Sequence, residues 1–139
     1  MNYKRFKPKV DKYFWTIWIP LMIILSCGTI LSFKEIVAFV IFLFVDLICL
    51  YFMLSSLSGY AELREKALFI KFGFLLKRNI PYDKIKEVTK ERKVMTYSML
   101  SLKNALEHIN IKYNKFDMVT VSVVNNDELL NELNKVMNK

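Results

Sequence analysis

Two long apolar runs, parted only by Lys34 and Glu35, constrain this chain more than any other feature. Residues 13–33 contain no Asp, Glu, Lys, Arg or His, and residues 36–57 contain only Asp46. A helix needs about 20 residues to cross about 30 Å of hydrocarbon, so each run is expected to be a transmembrane helix. The two-residue break at 34–35 then makes them a tight helical hairpin. Pro20 falls inside the first helix, where lipid surroundings tolerate it at the expense of a mild kink.

Asp46 interrupts the second run near its middle. A carboxylate there costs about 2.5–3.5 kcal/mol on insertion scales, and the surrounding Leu, Ile, Val and Phe residues contribute about 4–8 kcal/mol the other way. The span therefore survives its acid. Folding back from the turn sets Asp46 at the depth of residues 22–24 and within a turn of Ser26, so a protonated Asp46 hydrogen-bonded to Ser26 or to backbone is expected. A role in an ion or proton pathway would need more polar groups than two helices supply, unless several copies assemble. A contact between copies is the third alternative. Cys27 and Cys49 differ by about 10 Å in depth at 1.5 Å per residue, too far for a disulfide. They read as apolar filler.

Charge gives the orientation. Residues 1–12 carry five Lys or Arg and one Asp, whereas the presumed outer loop offers one Lys and one Glu. The positive-inside rule therefore puts the N-terminus in the cytoplasm, and two crossings return the chain to the same side. Tyr13, Trp15 and Trp18 near the start of the first run, with Tyr51 and Tyr60 near the end of the second, suit an interfacial aromatic belt. A cleaved signal segment fits less well, because the apolar run continues past Cys27 to Phe33 and no hydrophilic tether follows.

Beyond Ser58 and Gly59 long apolar runs give way to short alternating ones, which marks residues 59–139 as one small soluble unit. Residues 60–63 and 68–72 read as a β-hairpin, with Gly73 freeing the next turn. Residues 75–80 read as a third strand stopped by Pro81, and 82–84 as a turn. A fourth extended segment, 85–92, carries a bulge because Ile85 and Val88 break strict alternation. Residues 93–107 give no clear period. Ile109, Ile111 and Tyr113 alternate, as do Val119, Val121 and Val123, with a turn at 114–117. Asn125, Asn126 and Asp127 then offer an N-cap to a terminal helix whose stripe is Leu129, Leu130, Leu133, Val136 and Met137. The expected fold is membrane-anchored α+β: a two-helix hairpin, then a small antiparallel barrel or sheet capped by a C-terminal helix.

The chain has a net charge of +8, but residues 59–139 hold fifteen bases against ten acids, and Lys84, Lys86, Lys90, Arg92 and Lys93 alternate with Glu87 and Glu91. That mixture reads first as a solvated strand edge. Contact with anionic headgroups is the sharper reading, with Arg64, Lys66, Lys77 and Arg78 as the residues that would make it. No recognition helix or aromatic-basic interleaving points to nucleic acid. Motifs for hydrolysis, metal binding and phosphate cradling are lacking, and only three glycines are present, so neither an enzyme nor a cofactor is expected. His108, the lone histidine, reads as a residue at a strand edge or surface.

Gly73, then the runs 80–88 (IPYDKIKEV), 101–103 (SLK), 109–113 (INIKY) and 127–133 (DELLNEL), together resemble the bacterial pleckstrin-homology-like domains of the YyaB type. The resemblance covers about residues 59–133. It implies a seven-strand-like barrel with a capping helix behind two hydrophobic spans; with the charge distribution, the expected place is a bacterial cell membrane, multi-pass, with both termini cytoplasmic. The function it implies is mostly undefined; the leading expectation is a non-enzymatic cytoplasmic binding module at the inner leaflet that takes a protein or peptide partner. Two alternatives are a self-protection protein against a membrane-active bacteriocin and an oligomeric transporter or channel subunit built on Asp46. The expected partition is 1–12 basic cytoplasmic N-terminus, 13–33 and 36–57 transmembrane helices, 34–35 short outer loop, and 59–139 cytoplasmic PH-like domain.

Overall fold

The structure, a computed structural model, describes residues 3–98 and 100–139; Met1, Asn2 and Met99 lie outside the described residues. Helix α1 (Lys12–Leu31) and helix α2 (Ile36–Leu57) form the hairpin, joined by a 3₁₀ turn at Ser32–Lys34 and an extended Glu35. Both are long and apolar enough to cross a membrane. Phe14 is the one buried residue of α1 and α2 has none, so the hairpin leaves its apolar surface outward.

The domain is built from two four-stranded sheets. Strands β1 (Lys4–Phe6), β2 (Tyr60–Leu63), β3 (Ala67–Lys71) and β4 (Lys77–Pro81) form an antiparallel sheet in that order. Strands β5 (Ile85–Arg92), β6 (Leu100–Leu102), β7 (Glu107–Tyr113) and β8 (Asp117–Val121) form the second, ordered β5-β7-β8-β6. Helix α3 (Asn126–Met137) packs against β5 and β7. The sheets share one core without closing into a barrel, and the matching inner faces come from the period-two residues. Leu68 and Ile70 meet Ile109, Ile111, Val119, Val121, Leu129 and Leu133, all fully buried. Each such side chain contributes about 1.5–3 kcal/mol on leaving water.

Residues 60–139 thus supply seven strands and the helix, and the bulge between Ile85 and Glu87 falls where alternation fails. Four features depart from the expectation. The eighth strand comes from the basic N-terminus, where Lys4, Arg5 and Phe6 pair with Leu63, Glu62 and Ala61. Strand β6 runs parallel to β8, because the connection from β5 returns the chain to the far edge of its sheet. Asn125 does not cap α3; the next residue, Asn126, is buried and its Oδ1 accepts the Val123 N–H at 2.9 Å instead.

His108 is the fourth. It is fully buried rather than at an edge, since β7 lies between β5 and β8 and its outer face is covered. Thr96 reaches the Thr120 hydroxyl at 2.6 Å, Ser98 donates to the Met118 carbonyl at 2.8 Å, and the Lys9 N–H bonds the Ser122 carbonyl at 3.0 Å. The first two contacts lay residues 93–98 over that face, and the third sets the N-terminal arm alongside the end of β8, where Pro8 pairs with Val123.

Candidate functional site

The hairpin meets the domain through hydrogen bonds at both helix ends. Asp11 accepts the Tyr13 N–H at 2.9 Å, which caps α1, and its other oxygen accepts the Leu106 N–H at 3.0 Å. A helix start has unpaired N–H groups, so one carboxylate here satisfies a helix and a loop together. Tyr13 donates its hydroxyl to the Val94 carbonyl at 3.1 Å. At the end of α2 the Asn104 amide donates to the Ser56 carbonyl at 2.8 Å, and Ser55 Oγ accepts the Phe74 N–H at 3.0 Å. Lys103 lies beside this joint, its ammonium over the Tyr13 ring; burial lowers its pKa, against the pull of Asp11.

Two glycines make the approach feasible. A Cβ on Gly73, where φ is +155°, would stand 2.1 Å from Ser55 Oγ, and one on Gly59 would stand 2.6 Å from the Lys71 carbonyl. Neither distance is tolerable for a side chain. The loop 72–76 is therefore held against α2, where the Phe74 ring lies 5.6 Å from that of Tyr51. A groove of about 500 Å³ opens beside it, walled by Tyr51, Phe52, Phe72, Leu75, Leu76 and Leu100.

Register sorts the four cations singled out in the sequence. Lys71 pairs with Lys77 and with Tyr60 across the sheet, so Lys77 and Arg78 stand at the hairpin end of the strands. Arg64 and Lys66 belong to the β2–β3 turn at the other end, about 13 Å further along at 3.3 Å per residue. Arg64 is also committed elsewhere. It donates to Glu62 at 3.0 Å and stacks on Phe69 at 3.9 Å, while Arg5 donates to the same carboxylate at 3.0 Å and covers Tyr60 at 4.3 Å. Burial opposes the charge on Glu62, but hydrogen bonds from Arg64 and Arg5 outweigh it and hold the carboxyl below its ordinary pKa. Lys71, Lys77 and Arg78 have no acidic partner among the described residues. The strip along β5 is neutralised in part: Lys90 meets Glu107 and Asp127, Lys93 meets Glu91, and Glu87 meets Lys112, while Lys84, Lys86 and Arg92 have no acidic partner among the described residues.

A second cleft, about 560 Å³, lies between the β4 edge and the β7–β8 turn, lined by Arg78, Tyr97, Leu100, Tyr113, Phe116, Asp117 and Met118. Tyr97 and Phe116 are almost wholly exposed there. Strand β4 pairs on one side only, with β3, so its other edge is open beside this cleft.

Seven of the eight strands, β2 to β8, and the helix lying across the second sheet are the part of the chain that a family model recognises, with β1 outside it: the bacterial PH domain model matches residues 59–137. The chain belongs to the bacterial PH domain family. No curated protein and no solved structure matches it. PH domains are generally non-catalytic binding modules, and in this one the matched segment begins where α2 ends.

In the hairpin, Asp46 is bonded to Thr29 at 2.6 Å, not to Ser26. Ser26 is exposed, whereas Met22, Leu25 and Thr29 share the seam toward α2. Depth alone misplaces the partner, because side chains lean toward their own helix's N-terminus and so Asp46 and Thr29 lean toward each other. The spacing 22, 25, 29 was the signal available. Asp46 Oδ1 is buried with no partner, and both cysteines are free.

Proposed function

We propose that this is a non-enzymatic integral protein of the bacterial cell membrane, of the YyaB type, that holds a PH-like module against the cytoplasmic face and binds a protein or peptide partner there. One observation carries the reading. None of the 22 residues of α2 is buried by the rest of the molecule, so a medium other than water has to cover them. The β1–β2 ladder supports the topology, since residues 4–6 and 61–63 can pair only if the intervening helices bring both ends to the same side. The excess of cations in residues 1–12 supports the cytoplasmic side.

The cleft beside the β4 edge is the seat we propose for that partner. An extended peptide could add its backbone to the free edge while an apolar side chain sits between Tyr97 and Phe116. Two experiments test the proposal. The full chain should resist carbonate extraction, and its C-terminus should be shielded from protease added outside intact cells. A photo-crosslinking residue at Phe116 should trap one discrete protein in cells, and the same residue at Lys66 should not. Extraction by carbonate would remove the membrane reading, and identical products at 116 and 66 would remove the cleft.

A further inference from the structure

We infer that two apolar segments of the domain, loop 72–76 and residues 94–95, are set into an anionic lipid leaflet on either side of the hairpin. The inference rests on the membrane reading above and goes beyond it. Phe74, Leu75 and Leu76 are consecutive and 47%, 79% and 60% exposed, and Val94 and Met95 are 60% and 82% exposed. Water-facing loops seldom carry such runs. Each loop is tied to a helix end. Phe74 donates its N–H to Ser55 and touches Tyr51, which lies six residues, about 9 Å, before the end of α2. Val94 accepts the hydroxyl of Tyr13, the second residue of α1.

The exposed patch is thus continuous with the outward faces of Tyr51 and Phe52 on α2. A surface that continues a lipid-facing helix is covered by what covers the helix. Charge agrees with that occupant. Lys71, Lys77 and Arg78 flank the first loop without an acidic partner among the described residues, at the height where headgroup phosphates would lie. The groove of about 500 Å³ beside Leu75 and Leu76 then receives acyl chain. The domain is braced on the leaflet instead of swinging from a tether.

The test uses the full chain with Cys27→Ala and Cys49→Ala, carrying one fluorophore-labelled cysteine at a time: Leu75→Cys, Met95→Cys, Lys66→Cys as the wet reference, and Leu47→Cys as the lipid reference. Vesicles contain phosphatidylcholine with or without phosphatidylglycerol, spin-labelled lipid is the quencher in the bilayer, and iodide is the quencher in water on both faces. Probes at 75 and 95 should be quenched by lipid several-fold more than at 66 and be shielded from iodide. If they behave like 66 while 47 is quenched by lipid, the loops are wet and the inference fails with anchoring intact. If 47 is itself open to iodide, the anchoring reading fails and takes the inference with it. Lys71→Gln, Lys77→Gln and Arg78→Gln together should lower lipid quenching at 75 in phosphatidylglycerol vesicles to the phosphatidylcholine level. Equal quenching of the unaltered chain in both lipids would overturn the anionic preference.

Discussion

Helix α2 buries none of its 22 residues, whereas strand β7, a third as long, buries five of its seven. Four of the seven residues of β7 are Glu107, His108, Asn110 and Lys112, whereas Asp46 is the one charged residue of α2, so the more polar element is the better buried. What separates them is who supplies the cover. β7 is enclosed by neighbouring strands, α3 and residues 93–98; Asn110, Lys112 and His108 Nδ1 find partners within the protein, and His108 Nε2 is buried without one. α2 touches α1 along one seam and leaves the rest to the surroundings. The two withheld carboxylates show the same division. Glu62 in the sheet is met by two guanidinium groups, and Asp46 in the hairpin by one hydroxyl.

Substitution can break this contrast. Leu129→Ala, deep in the domain core, should destabilise the detergent-solubilised chain by about 2–5 kcal/mol, whereas Leu47→Ala on the outer face of α2 should stay within about 0.5 kcal/mol. Thermal unfolding followed by circular dichroism measures both, and equal losses would show that α2 is covered by protein after all. Arg5→Ala should cost about 1.5–3 kcal/mol, because it takes a charged donor from a buried carboxylate and loosens β1 at once.

Acid titration sharpens the same point. Glu62 has a depressed folded pKa, so its contribution is complete above the ordinary value of 4.5 and declines as pH falls below it toward the folded pKa. Melting temperature should therefore drop with acid in that window, and Glu62→Gln should flatten the Glu62 share of the drop. Asp11→Ala should cost about 1 kcal/mol through the lost cap of α1 and should speed proteolysis near Leu106. Smallest of all, Thr29→Val should weaken the hairpin by about 0.6 kcal/mol and at most about 1.7 kcal/mol, read as a shift in denaturant midpoint in micelles.

Much of the fold was legible because its signals are local. The hairpin follows from run length, the β7–β8 pair from clean alternation around a turn where Asn114 takes a positive φ of 51°, and α3 from its single apolar stripe. The rest depends on partners far away in the chain. Lys4–Phe6 is three residues with two charges, and only the distant β2 makes it a strand. His108 looks peripheral until residues 93–98 close over its face. For the candidate site, Lys77 and Arg78 could be read as cations but not as neighbours of Lys71 and α2, since that requires the register. Asp11, Tyr13 and Asn104 gave no sign of joining helix to domain, because each hydrogen bond reaches a backbone group whose position sequence does not encode.

The β1–β2 ladder joins a segment made before the hairpin to one made after it. Synthesis therefore delivers the first strand long before its mate, and the pair can zip only once both ends of the hairpin emerge together. A chain with one helix stranded or inverted would keep its β2 edge bare and lose the Arg5 clasp on Glu62. A completed sheet is therefore a mark that both ends of the hairpin lie side by side.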